Sequence, residues 1–548
     1  MTDPMNRPWQ KHYDPHVISE PTYPDMTLPD ILNQTAAEYP DFIATTMNNL
    51  DITYGELNKK VNGFAHALQK MGVKKGDRVA LLLPNSPTYI IAFYGVVKLG
   101  AIVANLNVMS QGSELVRSLN GSGSEIVITL DIFLNNVVQI VAETALREIV
   151  IHSVFNQEKE LELGESCPEI HILNDLVAAN PVNEPDPVYD ADDVAVLQYT
   201  SGSTGEPKAA VLTHRNLVSN VIQIYAWNPL PQRLNEAILC IIPFFQVFGM
   251  TICLHLSIYM GLRMVLYPMF DWSNILNILK DIKKFQPISF PAVPALWAAL
   301  VTHTEAGQHG LSSIEVATGG GAPLPAWVQE KFQQLTGKKI AQAYGLSEVS
   351  SSSHITPFRG ETTIFDSIGL PLPDTDVRIM DLDSGETECA LGEVGEMVIK
   401  GPQVMQGYWN DPERTRETIR QGWFYTGDLA WMDENGYFYL VDRKDDLIIS
   451  RGFNVYPSDI EKVLRQHPAV RDAAVIGSPD KMRGEAIVAY VVLNEGKTIE
   501  KRELLDLCRE QLPAYKVPRF IRFRDEIPAN RVGKTLRRVL REENGDVE

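Results

Sequence analysis

Long uninterrupted apolar runs are scarce in this 548-residue chain, and none reads as a membrane span. Residues 237–262 come nearest, with no Lys, Arg, Asp or Glu and enough length to cross a bilayer. Pro243, Gln246, Gly249 and His255 interrupt them, so they read as a buried strand, a corner at Pro243-Phe244-Phe245 and a helix. Residues 89–108 are similar, but Lys98 and Asn105 break them. Cysteine is also scarce. Cys167, Cys240, Cys253, Cys389 and Cys508 are odd in number and widely spaced, with no CxxC or Cys/His metal spacing. That pattern argues against a disulfide framework or a zinc site and for free thiols in a reducing cytoplasm. The opening residues MTDPMNRPWQKHYDP lack the apolar core of a secretory signal, so none is expected. Positive charge is in short supply: 49 Lys and Arg against 69 Asp and Glu leave a formal net charge of −20. Nucleic acid and anionic membrane surfaces are therefore disfavoured as main partners. An anionic small ligand would need local cations, which makes each well-placed Lys or Arg informative.

What is present reads as α/β. The length exceeds one core, so two or more domains are expected. Residues 1–29, rich in Pro and aromatics, are expected to wrap the surface. Helical spacing covers 30–39. A longer helix begins within 52–57 and runs through Val61, Phe64, Ala65, Leu68 and Met71 until Gly72. Residues 77–83 read as a buried strand, and Pro84-Asn85-Ser86 opens the next helix. Helices alternating with strands predict a largely parallel sheet. The acidic, Pro-rich residues 180–193 read as a joint. Towards the end, helices at 457–464 and 501–512 with strands at 473–476 and 486–493 suit a compact α+β unit. No internal repeat is evident.

Chemistry concentrates in residues 199–208, which read YTSGSTGEPK after an apolar run at 194–198. Gly202 and Gly205 let the backbone turn tightly and bring N–H groups near a ligand. Thr200, Ser201, Ser203 and Thr204 add hydroxyls, and Lys208 adds positive charge. The stretch is not a Walker loop, because Ala209 follows Lys208. Alone it fits a phosphate cradle or a Ser/Gly-rich surface turn equally well. Further on, a Gly-rich turn at 317–324 follows an expected strand at 313–316. Gln342-Ala343-Tyr344-Gly345-Leu346-Ser347-Glu348 sets an aromatic, a hydroxyl and a carboxylate together. Alone, Glu348 reads more readily as a surface acid. Asp428, in Trp423-Phe424-Tyr425-Thr426-Gly427-Asp428, has acceptors suited to ribose hydroxyls. Asp442-Arg443-Lys444-Asp445-Asp446 is a charged turn between apolar runs. Lys534 follows Gly533 in a basic run from Arg531 to Arg541, which alone reads equally as a solvated tail.

In this order, over about residues 53–538, these motifs resemble the adenylate-forming superfamily of acyl- and aryl-CoA ligases, luciferases and peptide-synthetase adenylation domains. The resemblance implies ATP, Mg²⁺ and coenzyme A, and a large N-terminal domain (1–442) of mainly parallel α/β subdomains plus a β region. It also implies a small mobile α+β domain (443–548). By the same resemblance Thr200, Ser201, Gly202, Ser203, Thr204, Gly205 and Lys208 hold phosphates. Gly320, Gly321, Ala322, Gln342, Tyr344 and Gly345 line the adenine site, and Ser347 meets the α-phosphate. Glu348 holds Mg²⁺, Asp428 and Arg443 hold ribose, Asp445 is the pivot, Gly452 flanks the pantetheine channel, and Lys534 is catalytic. Phe244, Phe245, Gln246 and Gly249 match the carboxylate-substrate pocket. Three departures stand out. Many acyl-CoA ligases have His where Gln246 stands, Val108 replaces the usual Pro after Asn107, and Ser347 replaces the commoner Thr. No Asp lies in 241–249, which argues against an amino-acid substrate. The subgroup most similar is the medium- to long-chain fatty acid–CoA ligases, through Arg7-Pro8-Trp9 and Tyr23-Pro24-Asp25. A coumarate-type aryl-CoA ligase is the alternative, and a nucleotide sensor without turnover is a weaker one because Glu348 and Lys534 are both present. A homodimer and peripheral membrane contact are left open.

Overall fold

The computed structural model describes residues 7–153, 168–186, 189–200, 208–228, 235–268, 274–359, 364–450, 453–480, 484–529 and 535–544. The chain forms two compact units: Met1–Asp376 with Ile399–Phe424, and Val377–Val398 with Tyr425–Glu548.

The first unit is built on two large sheets. The strands Arg78–Leu82, Ile102–Asn105 and Ile126–Leu130 are almost wholly buried. Strands buried on both faces need no polar alternation, and they pair in parallel here as the apolar runs predict. Across the eight-stranded sheet the order is Gly407–Tyr408, Lys208–Thr213, Val194–Thr200, Ile102–Asn105, Arg78–Leu82, Ile126–Leu130, Glu148–His152 and Glu169–Ile172. Only its first two pairings are antiparallel. The nine-stranded sheet has a parallel centre formed by Ile43–Met47, Arg263–Leu266, Ala237–Cys240, Ser289–Ala292, Val316–Gly320 and Ile340–Tyr344.

The helices start where their caps dictate. Thr53 and Glu56 form a capping box at the head of Tyr54–Lys70, which buries Leu57, Val61, Phe64, Ala65 and Leu68 on one face. Gly72, at φ +87°, then takes a backbone that a β-carbon would disfavour. Ser86 caps the helix Pro87–Val97, whose Oγ accepts from the Tyr89 N–H. That helix is buried on all sides. Lys98 follows it and is buried too. Its ammonium donates to Asn33, Asn58, Asn62 and Glu184, so the acidic 180–193 connector is pinned to the helices by its glutamate. The N-terminal segment straps the surface as expected: Arg7 pairs with Asp374 and Asp376, and Asp14 accepts from the Phe358 and Arg359 N–H groups.

Residues 237–262 become the strand Ala237–Cys240, a π-helix at Gly249–His255 and the helix Leu256–Met260. Among the described residues no helix is long and apolar enough to cross a membrane. The sequence placed a strand at 313–316 and a Gly-rich turn after it. The strand is instead Val316–Gly320, so Gly319 and Gly320 belong to the sheet and the turn begins at Gly321.

Two five-stranded sheets complete the fold. One runs Asp376–Met380, Gly395–Lys400, Trp423–Met432, Ile419–Arg420, with Phe438–Arg443 also on Trp423–Met432. The other runs Phe453–Val455, Ile448–Ser450, Gly484–Leu493, Val470–Asp480, and Phe520–Arg524 pairs in parallel with Gly484–Leu493. In the second unit the helices Pro457–Arg465 and Lys501–Gln511 bury Ile460, Leu464, Leu504 and Cys508 against Val475, Ile487 and Val491. Each such aliphatic side chain contributes about 1.5–3 kcal/mol. The helix Arg537–Asn544 sets Leu540 with Ala474, Ile476, Val488 and Tyr490 in a separate cluster. This is the mixed α/β architecture expected: a large unit of mainly parallel sheets, a β region and a smaller α+β unit.

Candidate active site

The two ends of the YTSGSTGEPK stretch lie opposite one another. Val194–Thr200 and Lys208–Thr213 pair antiparallel, with Thr200 across from Lys208. Ser201, Gly202, Ser203, Thr204 and Gly205 lie outside the described residues. The Tyr199 hydroxyl donates to the Ser118 carbonyl at 2.6 Å, and burial pushes its pKa up to about 12. After Thr213 a capping box with Asn216 starts the helix His214–Trp227, and the Asn216 amide donates to the Pro402 and Val404 carbonyls. His214 is buried, which pushes its pKa down to about 4 and leaves it neutral.

The glycine strand and the Gln342–Tyr344 strand run side by side, with Gly319 opposite Gln342 and Gly320 opposite Ala343. Gln342 Oε1 accepts from the Leu324 N–H at 3.2 Å and so closes the turn that contains Gly321 and Ala322. At Gly320 a β-carbon would stand 3.2 Å from the Phe248 ring. At Gly345 it would stand 1.5 Å from the Ser351 carbonyl, so no other residue fits. Tyr344 is half-buried, with its ring edge-on to His354 at 5.7 Å. Ser347 and Glu348 open the turn Ser347–Val349. The Glu348 carboxylate accepts from the Tyr408 hydroxyl at 2.8 Å, and its carbonyl accepts from the Met405 N–H at 2.8 Å. Tyr408 in turn lies across from Ala210, on the strand that begins at Lys208. One tyrosine thus fixes the carboxylate beside the strand Lys208–Thr213. Sequence reasoning gave Tyr408 no site role.

The corner at Phe244 and Phe245 is held by four buried polar side chains that sequence reasoning also missed. Asn85 Oδ1 accepts from the Phe244 N–H at 2.7 Å, while its amide donates to the Cys240 and Ile242 carbonyls. Tyr89 and Asn105 both donate to the Phe244 carbonyl. Gln198, two residues before Thr200, donates to the Phe245 carbonyl at 2.9 Å and accepts from Asn105 at 3.2 Å. Burial pushes the Tyr89 phenol well up. The visible signal is a polar residue inside each otherwise apolar run. Gln246 is half-buried, and its carbonyl accepts from the Met250 N–H. Gly249 is required by contact, since a β-carbon there would meet the Pro243 carbonyl at 2.3 Å.

In the second unit Asp428 sits within the strand Trp423–Met432, opposite Arg443 on Phe438–Arg443. Arg443 Nη1 donates to Asp428 Oδ1 at 2.7 Å. Glu396 receives the Gly427 N–H and the Lys444 ammonium on its two oxygens. Asp445 is exposed in the turn Lys444–Asp446. Gly452 and Lys534 lie outside the described residues. Within the described part of the basic run, Arg537 and Arg541 are tied into the fold and Arg538 is exposed. Arg537 is 13% exposed and pairs with Asp442, Asp446 and Glu461, and Arg541 pairs with Asp446. Burial pushes the Asp442 carboxyl up, and Arg537 opposes that shift.

Residues 32–409 match the family described as AMP-binding enzyme, and residues 459–534 match its C-terminal domain. The chain therefore belongs to the AMP-binding enzyme family, within the adenylate-forming superfamily. The long-chain-fatty-acid–CoA ligase of Bacillus subtilis is 38% identical over 556 residues, covering 98% of each chain. The solved structure of ATP-bound MatB from Rhodopseudomonas palustris matches with a TM-score of 0.84 at 27% identity, over 95% of this chain and 99% of that one. The o-succinylbenzoate CoA synthetase of Bacillus subtilis, solved with ATP and a magnesium ion, matches with a TM-score of 0.77 at 29% identity, over 93% and 98%.

Proposed function

We propose that this protein is an AMP-forming long-chain fatty acid–CoA ligase. The observation that carries the reading is the Glu348 carboxylate, held at 2.8 Å by Tyr408 on the strand next to the one led by Lys208. A fixed carboxylate and a lysine at the mouth of a glycine loop suit a metal-bound nucleotide triphosphate. The full-length similarity to a fatty acid–CoA ligase supports the acid.

The fatty carboxylate attacks the ATP α-phosphorus. An O–P bond forms, the bond to the bridging oxygen breaks, and pyrophosphate leaves. The coenzyme A thiolate then attacks the acyl carbonyl; a C–S bond forms, the C–O bond breaks and AMP leaves. Lys208 and the 201–205 loop bind the phosphates, and Lys534 offsets charge on the α-phosphate as the acyl oxygen attacks. Gly320, Gly321, Ala322, Gln342, Tyr344 and Gly345 receive adenine, with Phe248 under Gly320 fixing that wall. Ser347 meets the α-phosphate, and Asp428 with Arg443 takes the ribose. Mg²⁺ fits Glu348, a partly buried carboxylate with one hydroxyl donor, and when bound it neutralises phosphate charge. Phe244, Phe245, Gln246 and Gly249 shape the acyl entry. Gly452 flanks the pantetheine path, Asp445 is the pivot, and the working division of the chain falls at 442/443. The proposal places the enzyme in the cytoplasm.

Product analysis with ATP, coenzyme A and a long straight-chain acid tests this. Equal amounts of AMP, pyrophosphate and acyl-CoA are expected; ADP and phosphate as products would overturn it.

A further inference from the structure

Arg537 opens the helix Arg537–Asn544, and its guanidinium is almost buried among carboxylates of the second unit. Nη2 donates to Glu461 Oε1 at 2.8 Å. Nη1 donates to Asp446 Oδ2 at 3.1 Å and to Asp442 Oδ1 at 3.4 Å. One turn further on, Arg541 donates to Asp446 Oδ1 at 2.5 Å and to the Asp445 carbonyl at 3.2 Å. The carboxylates are as enclosed as the guanidinium, at 3% exposure for Asp442 and 5% for Glu461. Charges so enclosed persist only while paired.

The placement of these partners along the chain matters. Asp446 and Glu461 follow Asp445, while Asp442 precedes it. Arg537 therefore bridges the residue read as the pivot. Anchoring the helix does not require that bridge: Leu540 is buried, Asn544 bonds Ser478 and Tyr490, and Glu461 and Asp446 already hold Arg537. Nor does Asp442 need Arg537 for all its acceptors, because its oxygens also receive the Arg443 and Ser458 N–H groups at 3.0 Å. Ser458 also spans the pivot, through its N–H to Asp442 and its hydroxyl to the Val441 carbonyl at 2.8 Å, and what Arg537 adds is a third, longer bond that reaches across it from the C-terminal helix.

We propose that Arg537 is a positioning residue that latches the Asp442–Asp446 turn, and that opening of its contact with Asp442 sets the balance between the two half-reactions. The proposal rests on the ligase reading and on Asp445 as pivot. While the latch is closed, the strand end that carries Arg443 and the helix three residues beyond Lys534 move as one piece. Each change of state at the pivot opens the Arg537–Asp442 contact and leaves Arg537 on Asp446 and Glu461.

The test measures single-turnover adenylation, and thioester formation from supplied acyl-adenylate, in the full-length protein. Asp442→Asn and Arg537→Lys should each change the ratio of the two rates by about fivefold, the size of one long charge-assisted hydrogen bond. Both should move it in the same direction, and the double variant should go no further than either single one. Glu461→Gln, on the far side of the pivot, should lower thermal stability and leave the ratio alone. An unchanged ratio in Asp442→Asn with both half-reactions present overturns the latch. An equal shift in Glu461→Gln also overturns it, because the cluster would then act only by holding the helix. If the unaltered protein shows no adenylation, the ligase reading falls and takes the latch with it.

Discussion

Replacing Tyr408 by Phe removes one oxygen and tests the carboxylate site with little else disturbed. The backbone there is independently held: the Tyr408 N–H donates to Thr415 Oγ1 at 2.9 Å, and the Glu348 carbonyl keeps its bond from Met405. The lost hydroxyl–carboxylate bond is 2.8 Å long and charge-assisted. Such bonds contribute about 1.5–3 kcal/mol, and partial exposure puts this one near the lower end. About 1.5 kcal/mol corresponds to roughly tenfold in an equilibrium constant. A carboxylate that must be ordered by the metal itself should therefore need about ten times more Mg²⁺ for half-maximal exchange of pyrophosphate into ATP. At saturating Mg²⁺ the exchange rate should recover, and the thermal midpoint should stay within about 2 °C of the parent. An unchanged Mg²⁺ requirement would refute Tyr408 as the brace of a metal-holding Glu348. Loss of exchange at every Mg²⁺ concentration with an intact midpoint would refute it as well.

Lys534→Ala should slow adenylation by about two orders of magnitude, near 3 kcal/mol, and leave thioester formation from supplied acyl-adenylate nearly normal. Arg538→Ala is the matched control, since Arg538 is 51% exposed and, among the described residues, pairs along its own helix with Glu542; matching profiles would remove Lys534 from the catalytic set. Asp445→Pro fixes φ at the turn and should spare one half-reaction while abolishing the other, whereas equal loss of both would count against a pivot there. Stability should fall steeply in acid. Burial holds His214 at about 4 and His255 and His354 at about 3, against an ordinary value of 6.5. The unfolded chain takes up these protons first, so their contribution is complete above pH 6.5 and is lost as pH falls, down to about 4 for His214 and about 3 for His255 and His354. The loss is about 1.4 kcal/mol per pH unit for each histidine. Denaturant titrations of His214→Gln should show a correspondingly shallower pH slope, and an unchanged slope would exclude that residue.

The features legible in sequence were those set locally. The apolar runs of the parallel strands, the helix start within 52–57 and the order of the glycine-rich motifs all follow from neighbouring residues. The missed features arise from distant pairing. Arg537 lies 76 residues from Glu461 and 95 from Asp442, so its run of basic neighbours resembled a solvated tail. Tyr408 meets Glu348 across 60 residues, and Gln198 meets Phe245 across 47. Gly319 and Gly320 looked like a turn because glycine usually marks one. In the sheet they serve close packing instead, against Ile340 and Leu324 at one position and Phe248 at the other.

The central claim is that this chain activates a long-chain fatty acid as its adenylate. Exchange of labelled pyrophosphate into ATP, without coenzyme A, across long-chain, aryl and amino acids tests it most directly. The account predicts Mg²⁺-dependent exchange that is strongest with long-chain acids and weak with acetate, because each buried methylene adds about 0.8 kcal/mol. Exchange driven only by aryl or amino acids, or by no acid at all, would contradict it.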